Sequence, residues 1–234
     1  MDRFAGKVAL VSGGAGGIGS AVAERLGHEG AVVVRADLAG GDGVEPCDVT
    51  DPESCRAVVA AVLGRHGRLD VLVNAAGVGG FWPITELTLD DWQRVIAVNL
   101  TGTFLLSQSA IPALLETRGA IVNLASTAGL RATPFNAAYC ASKGGVLMLT
   151  QSIAVELAGA GVRVNAVCPS AVDTPMLRGF VIPEGSEQLL ARNASPMGRV
   201  LAPDEVATAV AYLASSDAAS VTGTSLVVDG GATA

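Results

Sequence analysis

Three features of the sequence predict an α/β fold with a doubly wound parallel sheet. Short β-branched runs alternate with longer stretches rich in Ala and Leu. The short runs are apolar at nearly every position, as in strands that helices cover on both faces. Proline and acidic residues mark helix starts, as in the segment 50–53, Thr-Asp-Pro-Glu. Because no linker or low-complexity tract divides the sequence, we expect one domain over residues 1–234.

The strands and helices follow from these patterns in order along the chain. Strands are predicted over residues 8–11, 32–34, 69–73, 120–124, 162–167 and 225–228. Helices are predicted over residues 17–29, 52–65, 88–116, 137–158 and 203–215. Between Val34 and a further strand end at Asp48 there is no room for a helix. We therefore expect residues 38–44 to form a short, extended crossover that replaces the helix between strands 2 and 3.

Composition and charge exclude several classes of protein. Half of the 234 residues are apolar, so the chain can build a large core and is not intrinsically disordered. The net charge of −7, without any Lys/Arg cluster, argues against a nucleic-acid partner. Uninterrupted apolar stretches fall well short of the roughly 20 residues that span a bilayer. Residues 1–7 show no signal-peptide pattern. We therefore expect a cytoplasmic protein without a membrane partner.

Cysteine and histidine content argues against a metal centre. The four cysteines show no C-x-x-C spacing, and the sequence has only two histidines. We expect no metal site, and buried thiols rather than a redox pair, in a reducing compartment.

A glycine-rich loop at residues 12–19 lies between the first predicted strand and helix. It matches G-x-G-x-x-G through Gly14, Gly16 and Gly19, and G-x-x-x-G-x-G through Gly13, Gly17 and Gly19. In both registers glycine lets the backbone approach a pyrophosphate at a helix N-terminus. The loop therefore indicates a Rossmann-like site for a dinucleotide. A nucleotide-triphosphatase site is excluded, since no Gly-Lys-Ser/Thr follows the glycines.

An acidic residue at the end of the second strand indicates which dinucleotide is bound. Asp37 comes 18 positions after Gly19. A carboxylate there accepts hydrogen bonds from the adenosine ribose hydroxyls of NAD and repels the 2′-phosphate of NADP. The next residue, Leu38, offers no positive charge to that phosphate. We therefore expect NAD as the cofactor.

Residues 139–143, Tyr-Cys-Ala-Ser-Lys, place a phenol and an ammonium four positions apart on one face of a predicted helix. The sequence has only two tyrosines. A nearby Lys143 ammonium and a nicotinamide cation would both lower the pKa of Tyr139 and make it a usable base. The same five residues are also typical of a surface Tyr–Lys pair, so this segment by itself leaves both interpretations open.

Together with these surroundings, the sequence resembles the short-chain dehydrogenase/reductase family over nearly its whole length. The family's Ser/Thr-Gly-x-x-x-Gly-x-Gly loop corresponds to residues 12–19, its Asp-Val pair to residues 48–49, and its Asn-Asn-Ala-Gly segment to residues 74–77. The sequence departs from the family pattern at Ala75, where the family has a second Asn, and at Ser170, where Gly is usual. These departures bear on the affinity for the cofactor more than on activity.

The resemblance implies the functional residues. The catalytic tetrad would be Asn99, Ser126, Tyr139 and Lys143, with Ser126 13 positions before Tyr139. Cofactor contacts would come from Gly13, Gly17, Ile18, Gly19, Asp37, Asp48, Val49, Asn74, Ala75, Gly77, Tyr139, Lys143, Val172 and Thr174.

The same resemblance implies a role for each member of the tetrad. During oxidation Tyr139 would take the proton of the substrate hydroxyl, and Ser126 would hydrogen-bond the substrate oxygen. Lys143 would lower the Tyr139 pKa and bind the nicotinamide ribose, and Asn99 would hold a water that leads protons to solvent. A homotetramer is implied as well.

Hydrophobic residues predict the substrate class. Residues 171–202 would form a substrate-binding lid, and its apolar side chains, with Phe81, Trp82 and residues 131–136, favour a secondary alcohol or ketone with a hydrophobic body. Arg131 or Arg178 could instead bind an acidic substrate. Two alternatives stay open: a 3-oxoacyl thioester reductase, and a dinucleotide-sensing protein without catalytic activity.

Overall fold

A single parallel sheet organises the protein. The computed structural model describes residues 2–186 and 195–234. Within them, seven strands lie in the order β3-β2-β1-β4-β5-β6-β7, and every neighbouring pair is parallel. The strands are β1 (Val8–Ser12), β2 (Val32–Asp37), β3 (Val44–Pro46), β4 (Val71–Asn74), β5 (Ala120–Leu124), β6 (Arg163–Pro169) and β7 (Ser225–Val228). The predicted doubly wound α/β fold is confirmed.

Helices cover both faces of the sheet. They are α1 (Gly17–His28), α2 (Pro52–His66), α3 (Leu89–Ile96), α4 (Gly102–Thr117), α5 (Ala137–Leu157), α6 (Pro175–Arg178) and α7 (Pro203–Ala214). Helices α1 and α7 pack over Ala9 and Val11, whereas α2, α4 and α5 pack over Leu10. Because side chains alternate along a strand, each central strand supplies both layers of the core and is apolar throughout.

The connection between β2 and β3 is extended, as predicted. Gly40, Gly41 and Gly43 all have positive φ angles, a conformation that L side chains adopt at a steric cost. The Gly41 N–H donates to the Val44 carbonyl, and the Val44 N–H donates to the Gly41 carbonyl. These glycines turn the chain within a few residues, so β3 pairs beside β2 without a helix between them.

The predicted helix over 88–116 consists of two α-helices joined by a π-helical turn, Ala97–Thr101. The combined run Leu89–Thr117 is long and apolar enough, by length and composition alone, to cross a membrane, with a mean hydropathy of 1.3. In this fold, 39% of its apolar window is buried within the protein. Buried Leu106, Ala110 and Leu114 show that the run supplies a wall of the core beside α2.

The predicted lid, residues 171–202, is tied at both ends. The Leu201 N–H donates to the Ala171 carbonyl at 3.0 Å, and the Asp173 N–H donates to the Leu201 carbonyl at 2.9 Å. Between these ends, Thr174 caps the short helix α6 through its hydroxyl. The part of the predicted lid at 187–194 lies outside the described residues.

Candidate active site

A cavity of about 710 Å³ opens beyond the carboxyl ends of the strands, where the strand order reverses between β1 and β4. Doubly wound sheets bind ligands at this point, because the loops on either side diverge there. Most of the predicted site residues line the cavity: Gly13, Gly17, Ile18, Gly19, Asp37, Asp48, Val49, Ala75, Gly77, Ser126, Tyr139, Lys143, Val172 and Thr174. Asn74 and Asn99 are not among its lining residues.

The glycine loop needs glycine at specific positions. Gly13 has φ +65°, and a Cβ there would lie 2.8 Å from the Ala76 nitrogen. A Cβ at Gly19 would overlap the Gly13 carbonyl oxygen. Gly17 has φ +55° and begins α1, which has no side-chain cap at its N-terminus. Uncapped N–H groups beside the cavity suit a pyrophosphate, so the loop fits a dinucleotide.

Asp37 at the end of β2 lines the other end of the same cavity. Its carboxylate accepts hydrogen bonds from the Ala15 N–H at 3.1 Å and the Leu38 N–H at 2.8 Å. The nearby Arg35 lies 3.9 Å from Glu24 rather than beside the Asp37 carboxylate. These contacts orient a carboxylate that can accept hydrogen bonds from ribose hydroxyls.

Asp48 and Val49 follow β3 and form the adjoining wall. The Asp48 carboxylate accepts hydrogen bonds from the Thr50 N–H at 2.9 Å and its hydroxyl at 2.7 Å. Val49 packs directly against Gly102. A Cβ at Gly102 would lie 2.7 Å from Val49 Cγ2, so this position has no room for a side chain. The start of α4 therefore approaches this wall closely.

Ser126, Tyr139 and Lys143 converge at the opposite end of the cavity from Asp37. The Ser126 hydroxyl accepts a hydrogen bond from the Ala128 N–H at 3.1 Å and donates to the Pro169 carbonyl at 3.4 Å, and its effect on Tyr139 is to lower the pKa of the phenol. Lys143 Nζ donates to the Leu124 carbonyl at 2.6 Å and lies 5.6 Å from the centroid of the Tyr139 ring. A hydroxyl pair beside a buried amine can hold the oxygen of an alcohol or ketone.

Burial is the largest effect on the pKa values of Tyr139 and Lys143 in the protein without a ligand. Burial raises the pKa of Tyr139 to about 12, although the Ser126 hydroxyl acts in the lowering direction. Burial also lowers the pKa of Lys143 to about 8. The protein groups alone do not lower the Tyr139 pKa, because the cost of burying the phenolate is the largest effect. The expected lowering by Lys143 together with a nicotinamide cation stays a prediction.

The two predicted asparagines have their amides inside the protein. Asn99, in the π-helical turn, accepts a hydrogen bond from the Val78 N–H at 2.8 Å and donates to the Val78 carbonyl at 2.9 Å and to the Ser142 hydroxyl at 3.0 Å. It clamps the loop after β4 to α5. Asn74 donates through its Nδ2 to Ser107 and Asn123 in the core and is not a lining residue of the cavity, and its predicted cofactor contact stays a prediction.

The wall next to Tyr139 is mostly apolar. Its side chains are Val78, Phe81, Met176, Leu177, Phe180 and Ile182. The rings of Phe81 and Phe180 meet edge to face, with centroids 5.1 Å apart. Trp82, predicted with them, is not a lining residue and lies over Gly80 instead.

The two arginines considered for an acidic substrate have other partners. Arg178 Nε donates to the Asp173 carboxylate at 2.9 Å, and Arg131 donates to the Ala232 carbonyl at 3.1 Å. Neither residue lines the cavity. No cluster of His, Cys, Asp and Glu able to hold a metal occurs in residues 2–186 and 195–234.

One lining residue, Asn136, was predicted only as part of the pocket segment 131–136, without a role of its own. It stands at the N-terminus of α5, three positions before Tyr139, and is 5% exposed. Sequence gives little signal for it, because asparagine at a helix start is typical of an ordinary cap.

Comparison with known proteins extends over the whole chain. A family model described as enoyl-(acyl carrier protein) reductase matches residues 13–233. D-threitol dehydrogenase of Mycolicibacterium smegmatis is 42% identical, over 99% of this chain and 94% of that protein. Meso-2,3-butanediol dehydrogenase of Serratia marcescens is 40% identical, over 99% of this chain and 96% of that protein. The crystal structure of a 3-ketoacyl-(acyl-carrier-protein) reductase from Brucella melitensis, complexed with NADH, superimposes with a TM-score of 0.90 at 35% identity, covering 99% and 100% of the two chains.

The lowered pKa of Lys143 predicts how stability depends on pH. The unfolded chain, with its lysine pKa near 10.5, binds more protons than the folded chain between pH about 8 and about 10.5, so folding should become more favourable as pH rises through this window. Lys143→Met removes this contribution. In urea titrations, the free energy of unfolding of the wild type minus that of Lys143→Met should increase by about 1–3 kcal/mol from pH 7 to pH 10. A pH-independent difference would contradict the assignment.

Proposed function

Since the chain belongs to the short-chain dehydrogenase/reductase family, we propose that it is an NAD-dependent oxidoreductase that interconverts a secondary alcohol and its ketone. The observation that carries the proposal is the arrangement of one cavity, with a glycine-cradled helix N-terminus and Asp37 at one end and Ser126, Tyr139 and Lys143 at the other. Relatives named for threitol and butanediol oxidation support this reaction class.

The cofactor proposal rests on the fit of the cavity walls to a dinucleotide. Gly13, Gly17 and Gly19 permit the tight loop that leads into α1, and the uncapped start of α1 supplies N–H donors for the pyrophosphate. Asp37 accepts hydrogen bonds from the adenosine ribose hydroxyls, with Asp48 and Val49 bordering the adenine. When bound, NAD supplies the nicotinamide carbon that accepts a hydride from the substrate.

Tyr139 is proposed as the general base in the oxidation direction. As the carbinol carbon gives up its hydride, the hydroxyl proton of the substrate would pass to Tyr139 Oη, and the C–O bond would become a carbonyl. Ser126 donates a hydrogen bond to the substrate oxygen and stabilises the charge that develops there. In the reduction direction the same proton returns from Tyr139 to the new alcohol.

Lys143 and Asn99 prepare this proton transfer. The Lys143 ammonium binds the nicotinamide ribose and, together with the positive nicotinamide, counteracts the burial that raises the Tyr139 pKa. The Asn99 side chain is hydrogen-bonded to the Val78 backbone and to the Ser142 hydroxyl. Its proposed contribution to the proton path is to hold this loop in place beside Lys143. Proton exit to solvent by a water near Asn99 completes the proposed path.

The apolar wall beside Tyr139 supports a substrate with a hydrophobic body. A 3-oxoacyl thioester is the second candidate, favoured by the structural similarity to the Brucella melitensis ketoacyl reductase. The commitment of Arg131 and Arg178 to other partners weighs against an acidic substrate or carrier at this wall. We also propose a cytoplasmic location, consistent with four free cysteines.

The first prediction tests Tyr139 as the base. Tyr139→Phe keeps the ring but removes the proton acceptor, so turnover should fall by roughly two to four orders of magnitude while folding and NAD binding survive. The wild-type rate of alcohol oxidation should rise with pH through one ionisation below the tyrosine value of about 10. The measurements are steady-state kinetics and quenching of intrinsic fluorescence by NADH.

Two outcomes would contradict this prediction. A Tyr139→Phe variant of near wild-type activity would overturn the mechanism. An inactive wild type that still binds NADH would favour the dinucleotide-sensing protein without catalytic activity.

The second prediction concerns cofactor choice. The Asp37 carboxylate would face the 2′-phosphate of NADP, and this repulsion should favour NAD by about a hundredfold or more in kcat/KM. Asp37→Ala should narrow the gap, whereas Asp42→Ala, a change in the same connection outside the cavity, should leave it unchanged. Equal efficiencies with NAD and NADP in the wild type would refute the role of Asp37.

The third prediction is a homotetramer. Phe104 on α4 and Met148 and Val155 on α5 are 41%, 64% and 81% exposed, an apolar surface that a second copy would cover. Sedimentation should show a tetramer at micromolar concentration, and Val155→Glu should shift the distribution to smaller species. A monomeric wild type would refute the proposal.

A further inference from the structure

The Asn136 amide forms no hydrogen bond within the described residues, although the residue is 95% buried in the wall of the cavity. Its Oδ1 atom is buried without a partner, and its Nδ2 atom donates to no protein group in residues 2–186 and 195–234. A buried polar group without a partner destabilises the folded state. The protein therefore keeps an amide at a position where an apolar residue would be less costly to bury.

A role as a helix cap does not account for Asn136. Asparagine is among the strongest N-cap residues, because its side-chain oxygen accepts a hydrogen bond from the first turn of the helix. At the start of α5 no such side-chain bond is formed, and Asn136 has φ −131° and ψ 34°. Only its backbone carbonyl serves the helix, by accepting the Cys140 N–H at 2.8 Å. The amide is thus free for another partner.

The residue before Asn136 has a strained backbone conformation, and this turn leads directly into the cavity wall at Asn136. Phe135 has φ +60°, which is rare and unfavourable for an aromatic residue. The Trp82 N–H donates to the Phe135 carbonyl at 2.7 Å and ties this turn to the loop after β4. Strain of this kind persists where surrounding contacts hold it, and it is common at ligand sites.

The surroundings limit the chemistry of the missing partner. The apolar wall of the cavity contains no arginine among its lining residues, and the one lining ammonium, Lys143, already donates to the Leu124 carbonyl. A neutral hydroxyl or keto oxygen can exchange hydrogen bonds with a carboxamide and needs no opposite charge. Asn136 stands three positions before Tyr139 and lines the same cavity, so a partner bound there would share the cavity with the reacting carbon.

We infer that Asn136 is a specificity-determining residue that binds a second, uncharged oxygen of the substrate, next to the carbon that is oxidised. The inference rests on the proposed function and narrows its substrate class to vicinal diols and the corresponding hydroxyketones. A substrate with only one oxygen leaves the amide unpaired and loses the corresponding binding energy in the transition state.

The test compares substrates that differ by one hydroxyl. NAD reduction is measured with the three stereoisomers of 2,3-butanediol and with both enantiomers of 2-butanol. For the wild type, kcat/KM for the best diol should exceed that for the best monoalcohol by about 10- to 100-fold. Equal efficiencies with the two substrates would overturn the inference and leave the proposed function standing.

Two variants separate recognition from structure. Asn136→Leu has nearly the same size without the amide, so it should lose about 10- to 100-fold with the diol and less than about threefold with 2-butanol. Asn136→Asp keeps an acceptor and should retain part of the preference for the diol. The melting temperature of the Leu variant should equal or exceed that of the wild type, because an unpaired buried amide is removed. A lower melting temperature with equal losses on both substrates would show a structural role and overturn the inference.

Binding gives a readout independent of turnover. With NADH bound, 2,3-butanediol should protect the wild type against thermal unfolding more than 2-butanol does, and Asn136→Leu should remove the difference. If no alcohol is oxidised but this difference is present, the proposed reaction fails while diol recognition by Asn136 holds. If the diol and the monoalcohol bind the wild type equally, the inference fails.

Discussion

The site depends on the close contact between the turn after β5 and helix α5. A Cβ at Gly129 would lie 2.7 Å from the Lys143 carbonyl carbon, so only glycine allows the two backbones to approach this far. The Lys143 amine completes the contact by donating to the Leu124 carbonyl at the end of β5. This contact brings Ser126, on the turn, to Tyr139, on the helix. Elements separated along the chain thus present two hydroxyls to one point.

A second clamp keeps this arrangement in register with the loop after β4. Asn99 bonds both backbone groups of Val78 and also the Ser142 hydroxyl on α5. The Ser142 hydroxyl in turn donates to the Tyr139 carbonyl at 2.8 Å. Asn99 lies in a π-helical turn, and such turns are frequent at functional sites. These hydrogen bonds join the loop after β4, helix α5 and the backbone of Tyr139.

Burial has opposite consequences at the two ends of the cavity. At the end formed by the glycine loop, bare backbone and an uncapped helix N-terminus offer N–H groups that would suit the negative charge of the proposed pyrophosphate. At the chemical end, burial disfavours both the phenolate of Tyr139 and the ammonium of Lys143, which raises the first pKa and lowers the second. Under the proposed function, a positive nicotinamide beside them would change this balance in favour of the phenolate. Part of the activation of the proposed base would then come from the cofactor.

The local patterns of the sequence determined the fold and the outline of the site. Apolar runs and helix starts predicted the strands and helices to within a few residues, because periodicity and caps are set by near neighbours. The glycines at 13, 17 and 19 and the acid at 37 depend on a single strand–turn–helix and the strand after it, so their location at the cavity was also predictable. The amides of Asn74, Asn99 and Asn136 were not. Which way each of them faces depends on contacts with elements far away in the chain, and only the tertiary structure sets those contacts.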